Sequence, residues 1–247
     1  MTPTCHIIAD LHLGEEDDAP LLSFLDELAH RPPGRLIILG DLFGYWLESP
    51  AVVRRHAPAL ASLRGLRHRG WTIDLVRGNR ELVAGTMLER HGGLVLHPRG
   101  MRLTINGTRI RLLHGDSLCR DPWHRLLTAF LRGFWARGCL LSMPDALRQA
   151  IATTMRRVSR QRHHDHRAQH LGVLDPQRVA AATRDVDTLA LGHLHAEHHR
   201  RIDGCTIMVC GAWHNGTGMW LEIDAMGGVS RHDWPQRLAP WPPATGR

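Results

Sequence analysis

Asp10-Leu11-His12, Gly40-Asp41, Gly78-Asn79-Arg80-Glu81, His114-Gly115-Asp116 and Gly192-His193-Leu194-His195 follow one another along the chain, each directly after an apolar run. They offer carboxylate, amide and imidazole donors and no thiolate. Such a mixed set suits Mn²⁺, Fe²⁺ or Zn²⁺ and does not suit Ca²⁺, which takes oxygen ligands. Asp10, His12 and His195 can close on one divalent ion. Asn79, His114 and His193 can close on a second, and Asp41 can reach both because a carboxylate has two oxygens. Paired divalent ions activate water and clamp a phosphoryl group for in-line attack, so the chemistry expected is hydrolysis of a phosphate ester or anhydride. Asp41, Asn79 and Arg80 are the expected catalytic residues. Arg80 is placed to stabilise charge on the phosphoryl oxygens, with Glu81 orienting it; the alternative is a surface ion pair between the two. Asp116, two residues after His114, either supports an imidazole from behind or only closes a turn.

The elements that must position these groups follow from the apolar pattern. Cys5–Ala9, Leu36–Leu39, Trp71–Val76 and Thr188–Leu191 read as buried strands, each delivering a ligand block at its C-terminal end. Met101–Ile105 and Thr108–Leu113 alternate around Asn106-Gly107, a hairpin signal, and the second arm runs into His114. Ala19–His30, Val52–Arg69 with a break or kink at Pro58, and Leu82–His91 read as helices. Asp175-Pro176 opens another, through Arg184, as N-cap and first helical residue. Arg201–Val209, Gly218–Ile223 and Val229–Asp233 complete the strands, and Pro235–Arg247 reads as a loosely packed tail. The fold class expected is α/β: two mixed sheets face to face with helices outside, the sites at strand ends. One domain spans 1–247, with 122–170 as a helical lid insertion.

That insertion breaks the rhythm. Leu126, Leu127, Phe130, Leu131, Phe134 and Trp135 lie beside Arg125, Arg132 and Arg137. The pattern predicts two or three amphipathic helices. They are either a cap over the core or an interfacial lid for an apolar substrate, resting on an anionic membrane surface. His163, His164, His166 and His170 form either a solvated loop or a phosphate contact.

The chain has 247 residues, 43% hydrophobic and 22% charged, enough for a folded core without staples. Its formal charge is +7, and all 31 basic residues are Arg. Guanidinium stays charged and grips phosphate with a planar fork, so an anionic partner is expected. Aromatic residues make up 5% of the chain, without basic–aromatic interleaving, which argues against single-stranded nucleic acid. Five cysteines and no CxxC predict free thiols in a reducing, cytoplasmic setting. The first strand begins almost at once, so no signal peptide is expected, and no apolar run reaches the ~18–20 residues of a membrane span.

The five blocks resemble the metal motifs of the calcineurin-like metallophosphoesterase superfamily, whose fold is a four-layer αββα sandwich. Within it, Gly78-Asn79-Arg80-Glu81 is similar to the Gly-Asn-Arg-Asp of the UDP-2,3-diacylglucosamine hydrolases of lipid A biosynthesis. Ile38–Phe43, His114–Cys119, Met155-Arg156 followed by Ser159, and Gly211–His214 extend that similarity. The resemblance implies two Mn²⁺ ions and cleavage of UDP-2,3-diacylglucosamine to UMP and 2,3-diacylglucosamine 1-phosphate. It also implies a lid over the acyl chains, and cytoplasmic, peripheral association with the inner membrane. Arg80, Ser159, His163 and His166 become the expected substrate contacts. Two departures stand out: Glu81 replaces Asp, and Arg160–Arg167 carries Arg and His where the family uses Asn and Lys. A phosphodiesterase, nuclease or other nucleotide pyrophosphatase of the superfamily is the alternative. A scaffold that has lost its metals is the remote one.

Overall fold

The structure is a computed structural model that describes residues 4–15, 17–122, 126, 133–148, 150, 151, 153, 154, 173–195, 197–235, 237 and 238. Strand β1 (Cys5–Ile8) leads to helix α1 (Ala19–Ala29), strand β2 (Arg35–Ile38), and helices α2 (Pro50–Arg55) and α3 (Ala57–His68). Strand β3 (Thr72–Val76), helix α4 (Thr86–Gly92) and strand β4 (Val95–His97) follow. The hairpin β5 (Met101–Ile105) and β6 (Thr108–Leu113) precedes helices α5 (Phe134–Ser142) and α6 (Pro176–Thr183) and strand β7 (Thr188–Leu191). Strands β8 (His198–Ile202), β9 (Cys205–Val209), β10 (Gly218–Ile223), β11 (Val229–Trp234) and β12 (Arg237–Leu238) end the order.

The strands form two mixed sheets, ordered β12-β11-β10-β1-β2-β3-β4 and β5-β6-β7-β9-β8. β1 to β4 run parallel, with Ile7 opposite Ile37 and Ile37 opposite Asp74; β6, β7 and β9 run parallel in the second sheet. Side chains alternate faces along a strand, and this alternation builds the layers. Cys5, Ile7, Ile37, Leu39 and Val76 meet Ile110, Leu112, Ala190 and Met208 between the sheets. Ile8, Leu36, Ile38 and Leu75 turn outward against α1, α3 and α4. Leu113, Leu189, Leu191 and Val209 turn outward on the second sheet, against Val179 and Ala182 of α6. The expected αββα order is therefore present.

Helix sequences match their burial. Leu21, Phe24, Leu25 and Leu28 form one buried stripe on α1, and Ala59, Leu60, Leu63 and Leu66 one on α3. Asp175 caps α6 by accepting from the Gln177 amide, with proline starting the helix. Pro58 sits in the first turn of α3, and of the expected kink or break the structure has the break: two helices parted at His56. Leu82–His91 is corrected to a helix from Thr86 to Gly92, because Val83 instead bridges to Leu47 as extended chain. Arg201–Val209 is corrected to a hairpin, turning at Asp203 and Gly204 with φ of 48° and 82°. β4 was not anticipated, and Arg237–Leu238 of the expected tail pairs with β11. Of the insertion, α5 is described, and Leu140, Met143 and Ile151 join the core under the helical layer of the larger sheet. The side chains of Leu127, Phe130, Leu131, Phe134 and Trp135, and all of Ser159, His163 and His166, lie outside the described residues. Among the described residues, no helix is long and apolar enough to cross a membrane.

Candidate metal centre

Every ligand block leaves the C-terminal end of a parallel strand: β1, β2, β3, β6 and β7. Five of the seven predicted ligands then turn into left-handed backbone: Asp10 (φ 54°), His12 (50°), Asp41 (51°), His193 (67°) and His195 (53°). Asp and His tolerate this region better than most residues, yet each instance costs about 1–3 kcal/mol. Such concentrated strain persists because neighbouring loops fix it. The His12 amide donates to the Asp41 carbonyl at 3.0 Å, the Asp10 amide to Gly40 at 3.2 Å and the Trp213 amide to Asp10 at 3.2 Å. Two motif glycines allow the close approach. A Cβ on Gly78 would sit 2.3 Å from Asp41 Oδ1, and one on Gly40 2.6 Å from His114 Nδ1.

Asp10, His12 and His195 bring metal-competent atoms together. His12 Nε2 and His195 Nε2 are 3.1 Å apart, and His195 Nε2 is 3.6 Å from Asp10 Oδ1. A gap of 3.1 Å between ring nitrogens matches two imidazoles sharing one cation at about 2.1 Å each. Asp10 is buried; its Oδ2 accepts the His193 amide at 2.7 Å, while its Oδ1 accepts no hydrogen bond among the described residues. A buried acceptor without a donor is costly, and a divalent cation fits that oxygen.

The second group centres on His114. Its Nδ1 meets the Leu39 carbonyl at 2.7 Å, which can only accept, so Nδ1 carries the proton. Nε2 then faces Asn79 Oδ1 at 2.9 Å and Asp41 Oδ1 at 3.5 Å. Acceptors this close require a proton or a cation between them. The His193 ring lies edge-on to His114, centroids 5.0 Å apart. Asp10 also reaches this side: Asp10, Asp41 and His114 form a second cluster of metal-competent atoms, so Asp10 belongs to both clusters and Asp41 to the second.

Electrostatics agree with a cation-binding cavity. Burial pushes Asp10 up to about 8, opposed by His114 and reinforced by Asp41. Burial and the Asp41 carboxylate push Glu81 up to about 7. Burial works against protonated His114, but Asp41, Asp10, Asp116 and the Leu39 carbonyl outweigh it and raise the imidazole to about 9. Asp116 thus acts on His114 through its charge, from a buried position at the start of a short 3₁₀ turn.

Glu81 does not orient Arg80. Its carboxylate accepts from the backbone amides of Asp41 (2.9 Å), Leu42 (2.9 Å), Phe43 (3.4 Å) and Gly78 (2.8 Å). It ties the Asp41 loop to the Asn79 loop. Arg80 is buried rather than a surface partner of Glu81. Its amide donates to Asp41 Oδ1 at 2.9 Å, its Nε lies 3.6 Å from Asp41 Oδ2, and a terminal nitrogen lies 3.7 Å from Glu15.

The chain is 36% identical over 247 residues to a UDP-2,3-diacylglucosamine hydrolase of Pseudomonas aeruginosa, covering 95% of this chain and 98% of that protein. The chain belongs to the UDP-2,3-diacylglucosamine hydrolase family. It is 31% identical over 232 residues to the Neisseria meningitidis serogroup B protein of that name, covering 91% of this chain and 95% of that one. No family model matches it. Among solved structures it is similar to Vps29 from Entamoeba histolytica complexed with Zn²⁺, at 14% identity and a TM-score of 0.49, covering 93% of this chain and 91% of that one.

Two further residues lie near these groups in this member of the UDP-2,3-diacylglucosamine hydrolase family, Glu15 outside every motif and His214 inside one but with no role expected of it. Glu15, three residues after His12, reaches Arg80. His214, in the Gly211–His214 stretch, has its ring 5.8 Å from that of His195. Its carboxylate, three residues past a ligand block, marks Glu15 as near the site, while its partner Arg80 is not encoded locally.

Proposed function

We propose that the chain hydrolyses the pyrophosphate bond of UDP-2,3-diacylglucosamine, yielding UMP and 2,3-diacylglucosamine 1-phosphate, with two divalent cations, Mn²⁺ foremost. One observation carries the reading: two groups of metal-competent side chains, Asp10–His12–His195 and Asp10–Asp41–His114, occur in a chain that matches hydrolases of that name over nine tenths of its length. Asp10, His12 and His195 would hold one cation, Asn79, His114 and His193 the other, and Asp41 both. When bound there, the cations supply Lewis acidity and lower the pKa of water toward neutrality.

The chain's own residues do the rest. Leu39 fixes the His114 tautomer, so Nε2 points at the centre. Glu81 fixes the loop that carries Asp41. Arg80 offers guanidinium donors where charge builds on the phosphoryl oxygens. The insertion over 122–170 serves as a lid for the acyl chains, with Ser159, His163 and His166 as contacts to the sugar phosphate. Exposed Leu126, Leu141 and Leu147 support an apolar role for this region. The Arg-rich lid supports peripheral, salt-weakened association with the cytoplasmic face of an anionic membrane.

Chromatography of products from UDP-2,3-diacylglucosamine with Mn²⁺ tests the reading. UMP and 2,3-diacylglucosamine 1-phosphate in equal amounts are expected. Turnover of simple phosphodiesters or nucleic acid, with none of the lipid nucleotide, would reject it.

A further inference from the structure

We propose that Glu15 is the positioning residue of Arg80, an inference that rests on the phosphoryl-binding reading of Arg80. Asp41 meets Arg80 from one side, with Nε 3.6 Å from Oδ2, but the same carboxylate would hold the proposed cations. The outer edge of the guanidinium faces Glu15 Oε1 at 3.7 Å and donates to the Gly44 carbonyl at 3.4 Å. Both side chains of the Arg80–Glu15 pair are 8% exposed, so solvent screens the pair little.

The backbone is built to present this carboxylate. Gly14, at φ +79°, turns the chain just after the ligand loop, and the Glu15 amide donates to the His12 carbonyl at 3.0 Å. Leu13 and Gly44 then exchange backbone bonds between the two loops, Leu13 to the Leu42 carbonyl and Gly44 to the Leu13 carbonyl, each at 3.0 Å. Position 44 carries no side chain because the Glu15 side chain fills that space. A Cβ on Gly44 would lie 2.4 Å from Glu15 Cγ and 2.9 Å from Glu15 Oε1. The φ of Gly44 is outside the left-handed region, so the backbone itself admits an L residue. The room over Arg80 therefore accepts one carboxylate side chain, supplied here from position 15. Without it the guanidinium would collapse onto Asp41 and compete with the cations for that carboxylate.

The test is a set of variants assayed on UDP-2,3-diacylglucosamine with saturating Mn²⁺, with metal content and folding by circular dichroism measured on each. Glu15→Gln should lower kcat about tenfold or more, as expected for a displaced charge-stabilising donor, with metal content unchanged. In an Arg80→Ala background, Glu15→Gln should cost far less, because the guanidinium it positions is gone. Glu15→Ala combined with Gly44→Glu should recover most of the rate that Glu15→Ala loses, since a carboxylate from position 44 enters the same space. A Glu15→Gln rate within twofold of the parent overturns the positioning role, and so does an equal loss in the Arg80→Ala background. Absence of recovery in a folded, metal-loaded double variant overturns it as well. If Arg80→Ala is slow while Glu15→Gln is not, only the positioning role falls. If Arg80→Ala keeps full rate, the reading of Arg80 falls and the inference with it.

Discussion

Replacing Glu81 by Gln probes the support beneath the metal loops without changing their volume. The two Glu81 oxygens divide four amides: Oε2 takes Asp41 and Gly78, and Oε1 takes Leu42 and Phe43. A carboxamide keeps one oxygen and turns an NH₂ group toward the other pair of donors. Hydrogen bonds to a charged acceptor contribute about 1.5–3 kcal/mol each, and stranded buried amides cost about as much. Two lost bonds amount to roughly 3–6 kcal/mol. Part is offset because burial already holds the carboxylate up at about 7, and a neutral amide escapes part of that penalty, worth roughly 1–2 kcal/mol. The net loss is roughly 1–5 kcal/mol, which for a chain this size lowers the melting temperature by about 2–20 °C. Urea unfolding of chelator-treated protein at pH 7.5 measures it, and Mn²⁺ titration of the same samples should show weakened affinity. A stability change below about 0.5 kcal/mol would refute the view that Glu81 clamps the two loops.

Three further outcomes are expected. Arg80→Ala should retain the parent's metal content and lose about 10²–10³ in kcat; metal loss in parallel with rate, by elemental analysis, would assign Arg80 to structure instead. His6 is 3% exposed, and burial, Arg31 and His232 hold its imidazole down at about 4, below its ordinary 6.5. Between those values the unfolded chain binds the extra proton, so stability should fall as pH drops through that window, by up to roughly 3 kcal/mol at pH 4. His6→Gln should flatten that slope in urea midpoints taken from pH 7 to 4.5, and parallel slopes would contradict the assignment. Replacing Phe130, Leu131 and Phe134 by Ser should reduce binding to anionic vesicles and turnover of the lipid nucleotide, while a small soluble ester is hydrolysed as before; vesicle binding unchanged by the triple substitution would remove the lid from the membrane contact.

The ligand set was legible because chemistry and topology coincide at the same positions. Each ligand follows a buried parallel strand, where an apolar run stops and a polar side chain must point into the crevice. Asn106-Gly107 was legible for a local reason: both residues take positive φ, 46° and 81°, as a tight hairpin requires. Asp203-Gly204 has the same form but was overlooked, since Arg201–Val209 reads as one extended run. The roles of Glu81 and Glu15 were not legible. Glu81 reaches amides about forty positions away, and Glu15 meets Arg80 across 65 residues of chain, so no local pattern encodes either. Leu82–Ala84 is apolar enough for a helix but is held extended by the bridge to Leu47, a tertiary contact overriding local preference.

The central claim is a pair of divalent cations sharing Asp41, and Mn²⁺ titration followed by electron paramagnetic resonance tests it most directly. The parent chain should bind two Mn²⁺ and show the signal of an exchange-coupled pair, and Asp41→Ala should lose the coupling, bind fewer ions and lose hydrolysis. A single Mn²⁺ per folded parent chain, with the six-line signal of an isolated ion, would contradict the account.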